Sequence, residues 1–359
     1  MRVDSVSIRD FRNIREAYLE PDPEMNIIFG ENAQGKTNLI EAIWLFSGMK
    51  SFRGARDAEL KNFESDFAKI KMTFEDAARV QSAELTVTER RRATLNGVPL
   101  PSPAGLLGKF GAVVFSPSFL SIIQSGPAER RRFMDAAICR LRPSYAPLLA
   151  EYGRLVRQRN SLLKDIYQET SLLEILDVID DRLGDAGEKI VACRAEFLEQ
   201  LAPFACGIYD GLSAGKEKLR VEYVRKYEQP GASLRETLRT NRRSDLINKT
   251  TSAGPHRDDL DVFINDVSAR EFGSQGQQRS CALALKLGES SVIRSLTGEE
   301  PVTLLDDVMS ELDTGRQDYI LNHIKGRQVF ITCCEPSSVI RLNVGKRISV
   351  AGGRIVECT

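Results

Sequence analysis

Eight residues near the start, Gly30-Glu31-Asn32-Ala33-Gln34-Gly35-Lys36-Thr37, constrain this chain more than any other segment. They lie between an apolar run, Ile27-Ile28-Phe29, and a helical pattern, Leu39-Ile40-Glu41-Ala42-Ile43-Trp44-Leu45. A strand, a glycine loop and a helix in that order give the G-x4-G-K-[ST] pattern the context of a P-loop. Glycines let the backbone curl so that successive N–H groups face phosphate oxygens, and the helix N-terminus adds positive dipole. Lys36 would reach the terminal phosphates as a point charge, and the Thr37 hydroxyl would ligate Mg²⁺. Gly30 to Asn38 are therefore the candidate nucleotide-binding residues. The alternative, a chance glycine turn, is disfavoured by the flanking strand and helix.

The whole chain allows such a site but does not demand it. Its 359 residues suffice for two domains or one large interrupted one, with 42% apolar residues to build a core. No apolar run approaches the about 18 residues of a membrane span, and the N-terminus has no signal-peptide pattern, so a cytoplasmic protein without a membrane partner is expected. Seven cysteines include no C-x-x-C pair, which argues against zinc and against a disulfide framework. With 50 basic and 50 acidic residues the net charge is zero. Contact with DNA would have to come from local patches.

Along the chain the texture changes twice. Val3, Val6 and Ile8, then Ala68 to Phe74 and Ala83 to Leu95, alternate as strands, the last ending at an Asn96-Gly97 hairpin turn. From 127 to 212 charged residues interleave with Leu, Ile and Ala at helical spacing. Ser144 to Tyr167 and Ser171 to Tyr209 form two long helices with Gln168-Glu169-Thr170 as the turn, an antiparallel arm carrying an apolar stripe. Strands return at Leu219 to Tyr227 and Leu260 to Ile264, followed by an alanine- and leucine-rich helix from Gln275 to Leu296.

Pro301-Val302-Thr303-Leu304-Leu305 is a short apolar strand ending in Asp306-Asp307. A P-loop needs a carboxylate at the end of a neighbouring strand to hold Mg²⁺, and Asp306 fits that role. Asp307 would polarise the attacking water or pair with a basic group. Because Asp306 follows Lys36 by about 270 residues, the nucleotide sheet must be split by a large insertion.

Ser274-Gln275-Gly276-Gln277-Gln278 opens the helix before the acidic strand. Alone it would be an ordinary serine N-cap. Thirty residues before the acid pair, it resembles the signature motif of ABC-type ATPases, and Ser310-Glu311-Leu312-Asp313 resembles their D-loop. Together with Phe11-Arg12-Asn13, the P-loop and Gly254-Pro255-His256-Arg257-Asp258-Asp259, these segments resemble the RecF family, recombination-mediator ATPases related to SMC proteins. The match runs from the first strand to the closing hairpin.

That resemblance implies an α/β fold: an ABC-type P-loop ATPase head, with mixed and antiparallel sheets around the P-loop helix and an inserted helical arm. It divides the chain into a first head segment at 1–125, the arm at 126–215 and a second head segment at 216–359. It implies an ATP-dependent homodimer that clamps ATP and Mg²⁺ between the P-loop of one copy and Ser274, Gly276 and Gln277 of the other. It further implies a DNA-dependent ATPase of weak turnover, acting in recombinational repair and replication. Its DNA would be single-strand/double-strand junctions at gaps, and its partners RecR and, indirectly, RecO and RecA. The switch histidine of the wider superfamily would fall near Thr332-Cys333-Cys334, where there is none, so slow hydrolysis is expected. Lys36, Asp306 and Asp307 are the candidate catalytic residues.

Arg12, beside the P-loop strand, is a candidate phosphate contact. His256 sits in a Gly-Pro-His-Arg turn, where a structural hydrogen-bonder is the commoner outcome. Gln124 is a candidate for a nucleotide-contacting glutamine. Arg130, Arg131 and Arg132, with Arg154 and Arg157 beyond them, are candidate DNA contacts. Arg140, Arg142, Arg159, Arg90-Arg91-Arg92 and Arg242-Arg243 form further basic clusters, although such runs are often only solvated faces. Few aromatics interleave them, so backbone contact rather than base stacking is expected. Two rival readings are another SMC-like ATPase head, which would need a longer heptad arm, and a nucleotide-binding adaptor with little catalysis.

Overall fold

The computed structural model describes residues 1–165, 172–227, 232–334 and 345–358. In chain order its elements are β1 (Arg2–Phe11), β2 (Ile14–Leu19), β3 (Met25–Phe29), α1 (Lys36–Trp44), β4 (Ala68–Glu75), β5 (Val80–Val87), β6 (Arg91–Leu95), β7 (Val98–Pro99) and β8 (Ala112–Phe115). Helices α2 (Pro117–Leu120), α3 (Pro127–Leu141), α4 (Tyr145–Asp165) and α5 (Leu172–Ser213) follow. Then come β9 (Leu219–Val224), α6 (Leu234–Asn248), β10 (Asp259–Ile264), β11 (Val267–Ser268), α7 (Ala269–Phe272) and α8 (Gln275–Thr297). The chain closes with β12 (Val302–Asp306), α9 (Thr314–His323), β13 (Val329–Cys333), β14 (Lys346–Ala351) and β15 (Arg354–Cys358).

One sheet has the order β15-β14-β3-β13-β12-β8, so both ends of the chain and the segment before α3 build it together. Strands β14, β3, β13, β12 and β8 are parallel and β15 is antiparallel, which makes the sheet mixed. Strands β3, β13, β12 and β8 are buried on both faces and read as continuous apolar runs, as the middle of a covered parallel sheet does, whereas β14 alternates and β15 is largely exposed. Successive residues face opposite ways. Ile27, Val113, Phe115, Leu305 and Ile331 join one core with α3, α5 and α8. Ile28, Ala112, Val114, Leu304 and Phe330 join a second core with α1 and the antiparallel sheet β2-β1-β4-β5-β6-β7. Helix α1 is thus held between two sheets, and the P-loop that precedes it lies at the C-terminal end of β3, an interior strand flanked by β14 and β13.

The two long helices occupy the expected segment in the described residues, and the expected turn at 168–170 lies outside them. The pair is not a free arm. Leu183, Ile190, Phe197 and Leu201 of the α5 stripe are buried in the same core as α8, and only Leu163 and Leu176 form a small distal cluster. Helix α6 packs on α5 through Arg235 to Asp185, Arg239 to Asp181 and Arg242 to Asp180. The antiparallel sheet β11-β10-β9 also lies on this side. Residues 219–268 therefore pack with the helical insertion, whereas the expectation put everything after 215 in the head. Leu219, Leu234, Leu238, Leu260 and Val262 of this stretch are buried in the core that holds α5, and the α5 aspartates at 177, 180, 181 and 185 pair with arginines of α6 around it.

Candidate nucleotide-binding site

The glycine loop adopts the curl that its composition allows. Gly30 has φ 148°, Ala33 φ 63° and Gly35 φ 116°, all in the region where a side chain is strained. Gly35 is the N-cap of α1 and offers no side-chain acceptor, leaving the first N–H groups of the helix to face the loop. The Lys36 ammonium donates to the carbonyls of Gly30 (2.6 Å) and Glu31 (2.7 Å), so it lies inside the loop.

The distant acid arrives where the sequence spacing required. The Thr37 hydroxyl donates to Asp306 Oδ1 at 2.8 Å, across 269 residues of chain. Thr332, on β13 between β3 and β12, donates to the same oxygen at 3.1 Å and accepts the Asp307 N–H at 2.8 Å. Asp307 itself has φ 52° and its carboxylate accepts from Ser310 at 3.2 Å. Burial, reinforced by the adjacent Asp307 charge, raises the Asp306 carboxyl above the usual range, against the pull of the Thr37 and Thr332 hydroxyls. Such a buried carboxylate facing a hydroxyl is a fitting donor pair for a hard cation that keeps most of its ligands from water and phosphate. Among the described residues no cluster of three or more His, Cys, Asp or Glu side chains forms an all-protein metal cage.

Neighbouring segments pin the loop. Asn13 donates to the Ala33 carbonyl (3.3 Å) and accepts from Asn38 (2.7 Å), and Asn38 accepts from Arg53 (2.9 Å). The β14–β15 turn donates from Gly352 to Gln34 Oε1 (2.6 Å) and from Gly353 to the Gln34 carbonyl (2.9 Å). The approach is so close that a Cβ on Gly353 would lie 2.0 Å from the Asn13 carbonyl oxygen. Cys334 Sγ lies 3.0 Å from Asn32 Oδ1.

These groups border a cleft of about 630 Å³, lined by the P-loop, Asp307, Thr332, Arg12 and the segment around Lys61 to Glu64. Its volume is in the range of small-molecule sites. Arg12 is on its wall, but its fork is committed: Nε and Nη2 each donate at 3.0 Å to Glu41, and Nη1 donates to the Glu59 carbonyl at 3.2 Å. Glu41 is wholly buried on α1 and also accepts the Ser51 hydroxyl. Arg53, Lys61 and Phe63 also line the cleft and were missed, because nothing in their local sequence marks them.

The structure does not bring Ser274, Gly276 and Gln277 to Lys36 within one chain, and none of them lines the cleft. Ser274 is exposed at the N-cap of α8, where it accepts the Gln277 N–H at 3.2 Å while Gln277 Oε1 accepts the Ser274 N–H at 2.8 Å. This reciprocal cap is a capping box. Arg316 donates to the Gly276 carbonyl (2.9 Å) and to Ser280 (2.8 Å) and pairs with Asp313. Arg279 donates to the Glu311 carbonyl (2.6 Å) and carboxylate (2.7 Å). The start of α8 is thereby bolted to the segment that follows the acid pair. Gln124 donates to Gln278 at 2.5 Å on this same end of α8, away from the cleft.

His256 is structural. Its Nδ1 bonds the Tyr152 hydroxyl (2.7 Å), its Nε2 the Thr251 carbonyl (3.1 Å), and burial pushes its pKa down to about 4. Among the basic clusters, Arg130 is a correction: it is 2% exposed, forks onto Asp259 and donates to three carbonyls around 122–125. Arg91, Arg140 and Arg159 are likewise buried, and Arg159 is held by Asp180 and Asp245. Arg131 is half-buried on the Asp258 carbonyl, and Arg132 pairs with Glu129. Arg154 and Arg157 are exposed on α4, with no ion pair among the described residues. A run of arginines in sequence cannot tell a surface from a set of internal ties; helical phase decides it.

A family model described as "AAA ATPase domain" matches residues 1–125. A protein of Lachnospira eligens named "DNA replication and repair protein RecF" is 38% identical over 363 residues, covering 99% of each chain. One of Desulforamulus reducens with the same name is 40% identical, covering 92% of each. The solved structure of the recombination mediator protein RecF with ATP superposes with a TM-score of 0.91 at 35% identity, covering 100% of this chain and 97% of that one. An Smc head domain of Pyrococcus furiosus matches with a TM-score of 0.57 at 15% identity, a likeness of fold alone. The fold is that of an ABC-type ATPase head carrying a helical insertion, and by identity over nearly its whole length the chain belongs to the RecF family.

Proposed function

We propose that this chain is an ATP-switched DNA-binding protein of replication and repair that works as a dimeric clamp. The observation that carries the reading is the division of one site into two exposed halves. Lys36 and Thr37, with the buried Asp306 bonded behind Thr37, face an open cleft, and the capped, exposed Ser274 segment lies outside it. A second copy would complete the site by placing its α8 N-terminus, with dipole and free N–H groups, on the terminal phosphate. The relative solved with ATP supports the choice of nucleotide. Thr37 and Asp306 would hold Mg²⁺, which when bound neutralises charge on the phosphates. Lys36 would leave the Gly30 and Glu31 carbonyls for phosphate oxygens. Asp307, on the cleft wall, would accept the proton of the attacking water.

Because Arg279 and Arg316 tie the start of α8 to the segment after Asp307, gain or loss of the γ-phosphate would be felt by the signature surface and hence by the dimer. With no histidine at Thr332 to Cys334, hydrolysis would be slow and would serve as a timer. The exposed Arg154 and Arg157 of α4 would meet DNA phosphates, and gapped DNA and RecR, with RecO and RecA behind it, are the proposed partners; the relative's structures are described within a RecFOR pathway.

Sedimentation with and without ATP tests the clamp. Ser274→Arg is expected to keep nucleotide binding and to remain monomeric with ATP, and a dimer persisting in that variant would sink the model. Lys36→Arg is expected to keep binding and dimerisation while turnover falls at least about tenfold, because the charge stays and its reach changes. Unimpaired turnover would remove Lys36 from the chemistry.

A further inference from the structure

One side chain of the cleft does not suit phosphate. Phe63 is 102% exposed, the most exposed large apolar residue of the described chain, and among the described residues it is the one aromatic side chain on the cleft wall. Its neighbours around the cleft are polar: arginines, lysines, asparagines and glycine-loop amides, which match phosphates and hydroxyls, together with the acids Glu59, Glu64 and Asp307. An isolated exposed phenylalanine needs no explanation on a mobile surface loop. Here the backbone on either side of the ring is tied to the rest of the fold. Lys61 bridges Phe11, the Asn62 N–H donates to the Asp10 carbonyl (2.8 Å), and Asn62 Nδ2 donates to the Arg12 carbonyl (2.8 Å). Beyond it, the Glu64 N–H donates to Asn62 Oδ1 (3.0 Å), and the Glu64 carboxylate pairs with Arg15. Asn13, next to Arg12, bonds both Ala33 and Asn38 of the P-loop segment. Short polar links therefore run from the phosphate cradle to the ring.

We infer that Phe63 is the platform on which the base of the bound nucleotide stacks. The inference rests on the nucleotide reading of the cleft and adds its base-recognition element. A flat heterocycle joined through ribose to phosphates on Lys36 is the ligand whose chemistry calls for both walls. Stacking on a π face is tolerant of base identity, so the ring would set where the base lies and contribute to affinity without hydrogen-bond readout.

The test is equilibrium binding of Mg²⁺–ATP and of inorganic triphosphate to the full chain and to Phe63→Ala, Phe63→Trp and Lys36→Ala. Phe63→Ala is expected to weaken ATP at least about fivefold, the low end for loss of one base stack. It should leave triphosphate within about twofold, and Phe63→Trp should restore ATP. Unchanged ATP affinity would overturn the inference, and so would an equal loss of ATP and triphosphate, which would mark a structural role for the ring. A defect confined to ATP-driven dimerisation, with monomer affinity intact, would assign the ring to a second copy and also overturn it. Failure of Lys36→Ala to weaken either ligand would instead strike the nucleotide reading of the cleft itself.

Discussion

Replacing Arg130 by alanine separates an internal tie from a DNA contact. The guanidinium forks onto Asp259 at 2.7 and 2.9 Å and donates to the carbonyls of Ile122, Ile123 and Ser125, with 2% of the residue exposed. Its removal takes the charged partner from the buried Asp259 carboxylate, which keeps only the Leu260 N–H (2.8 Å), and takes a donor from each of three carbonyls. Breaking a buried pair in this way costs about 3–5 kcal/mol. An unfolding entropy of about 2.1 cal/mol/K per residue, over the 359 residues of the chain, is about 0.75 kcal/mol/K. The expected fall in Tm is therefore roughly 4–7 °C. Scanning calorimetry should be run beside DNA binding across a salt series, with Arg157→Ala as the comparison. Arg157 is exposed and has no ion pair among the described residues, so its variant should melt within about 1 °C of the parent while its salt slope for DNA falls by about 1. An Arg130→Ala protein that melts like the parent yet loses DNA affinity would refute the assignment.

Two further outcomes follow from the geometry. Burial holds the His256 pKa near 4 against 6.5 in an exposed chain, so between those values the unfolded state binds more protons. Stability present above pH 6.5 is therefore lost as the pH falls towards 4, by up to about 3 kcal/mol. Urea midpoints across this range should slope less in His256→Gln, and an unaltered slope would contradict the buried neutral ring. Gly353→Ala would drive a Cβ to within 2.0 Å of the Asn13 carbonyl at φ 71°. The expected result is at least about 1–3 kcal/mol of lost stability and weakened nucleotide binding, since the turn that holds Gln34 must move; full affinity would show that the hairpin does not position the loop.

The sequence by itself determined the P-loop, because its chemistry is local: a strand, two glycines and a helix start define it within about 20 residues. It also determined that an acid at the end of a far strand had to return to it; alternation marked β1, β4 and the stretch Ala83 to Leu95, which the structure splits into β5 and β6, and short apolar runs marked the buried strands. The start of α8 was equally legible, since a serine and a glutamine three residues on form a cap from adjacent residues alone. What only tertiary structure decided depends on groups distant in the chain. Helical phase and the acids opposite turned Arg130 and Arg159 into internal ties and left Arg154 and Arg157 in solvent. Burial of Leu219, Leu234, Leu238, Leu260 and Val262 in the core shared with α5 placed α6 and the small sheet against the helical insertion, beyond the boundary expected at 215. The committed fork of Arg12, the Gln34 clamp of the closing hairpin and the exposed ring of Phe63 beside the cleft arise from backbone approach across the fold. No local pattern encodes these, because packing between distant segments sets which side chains meet.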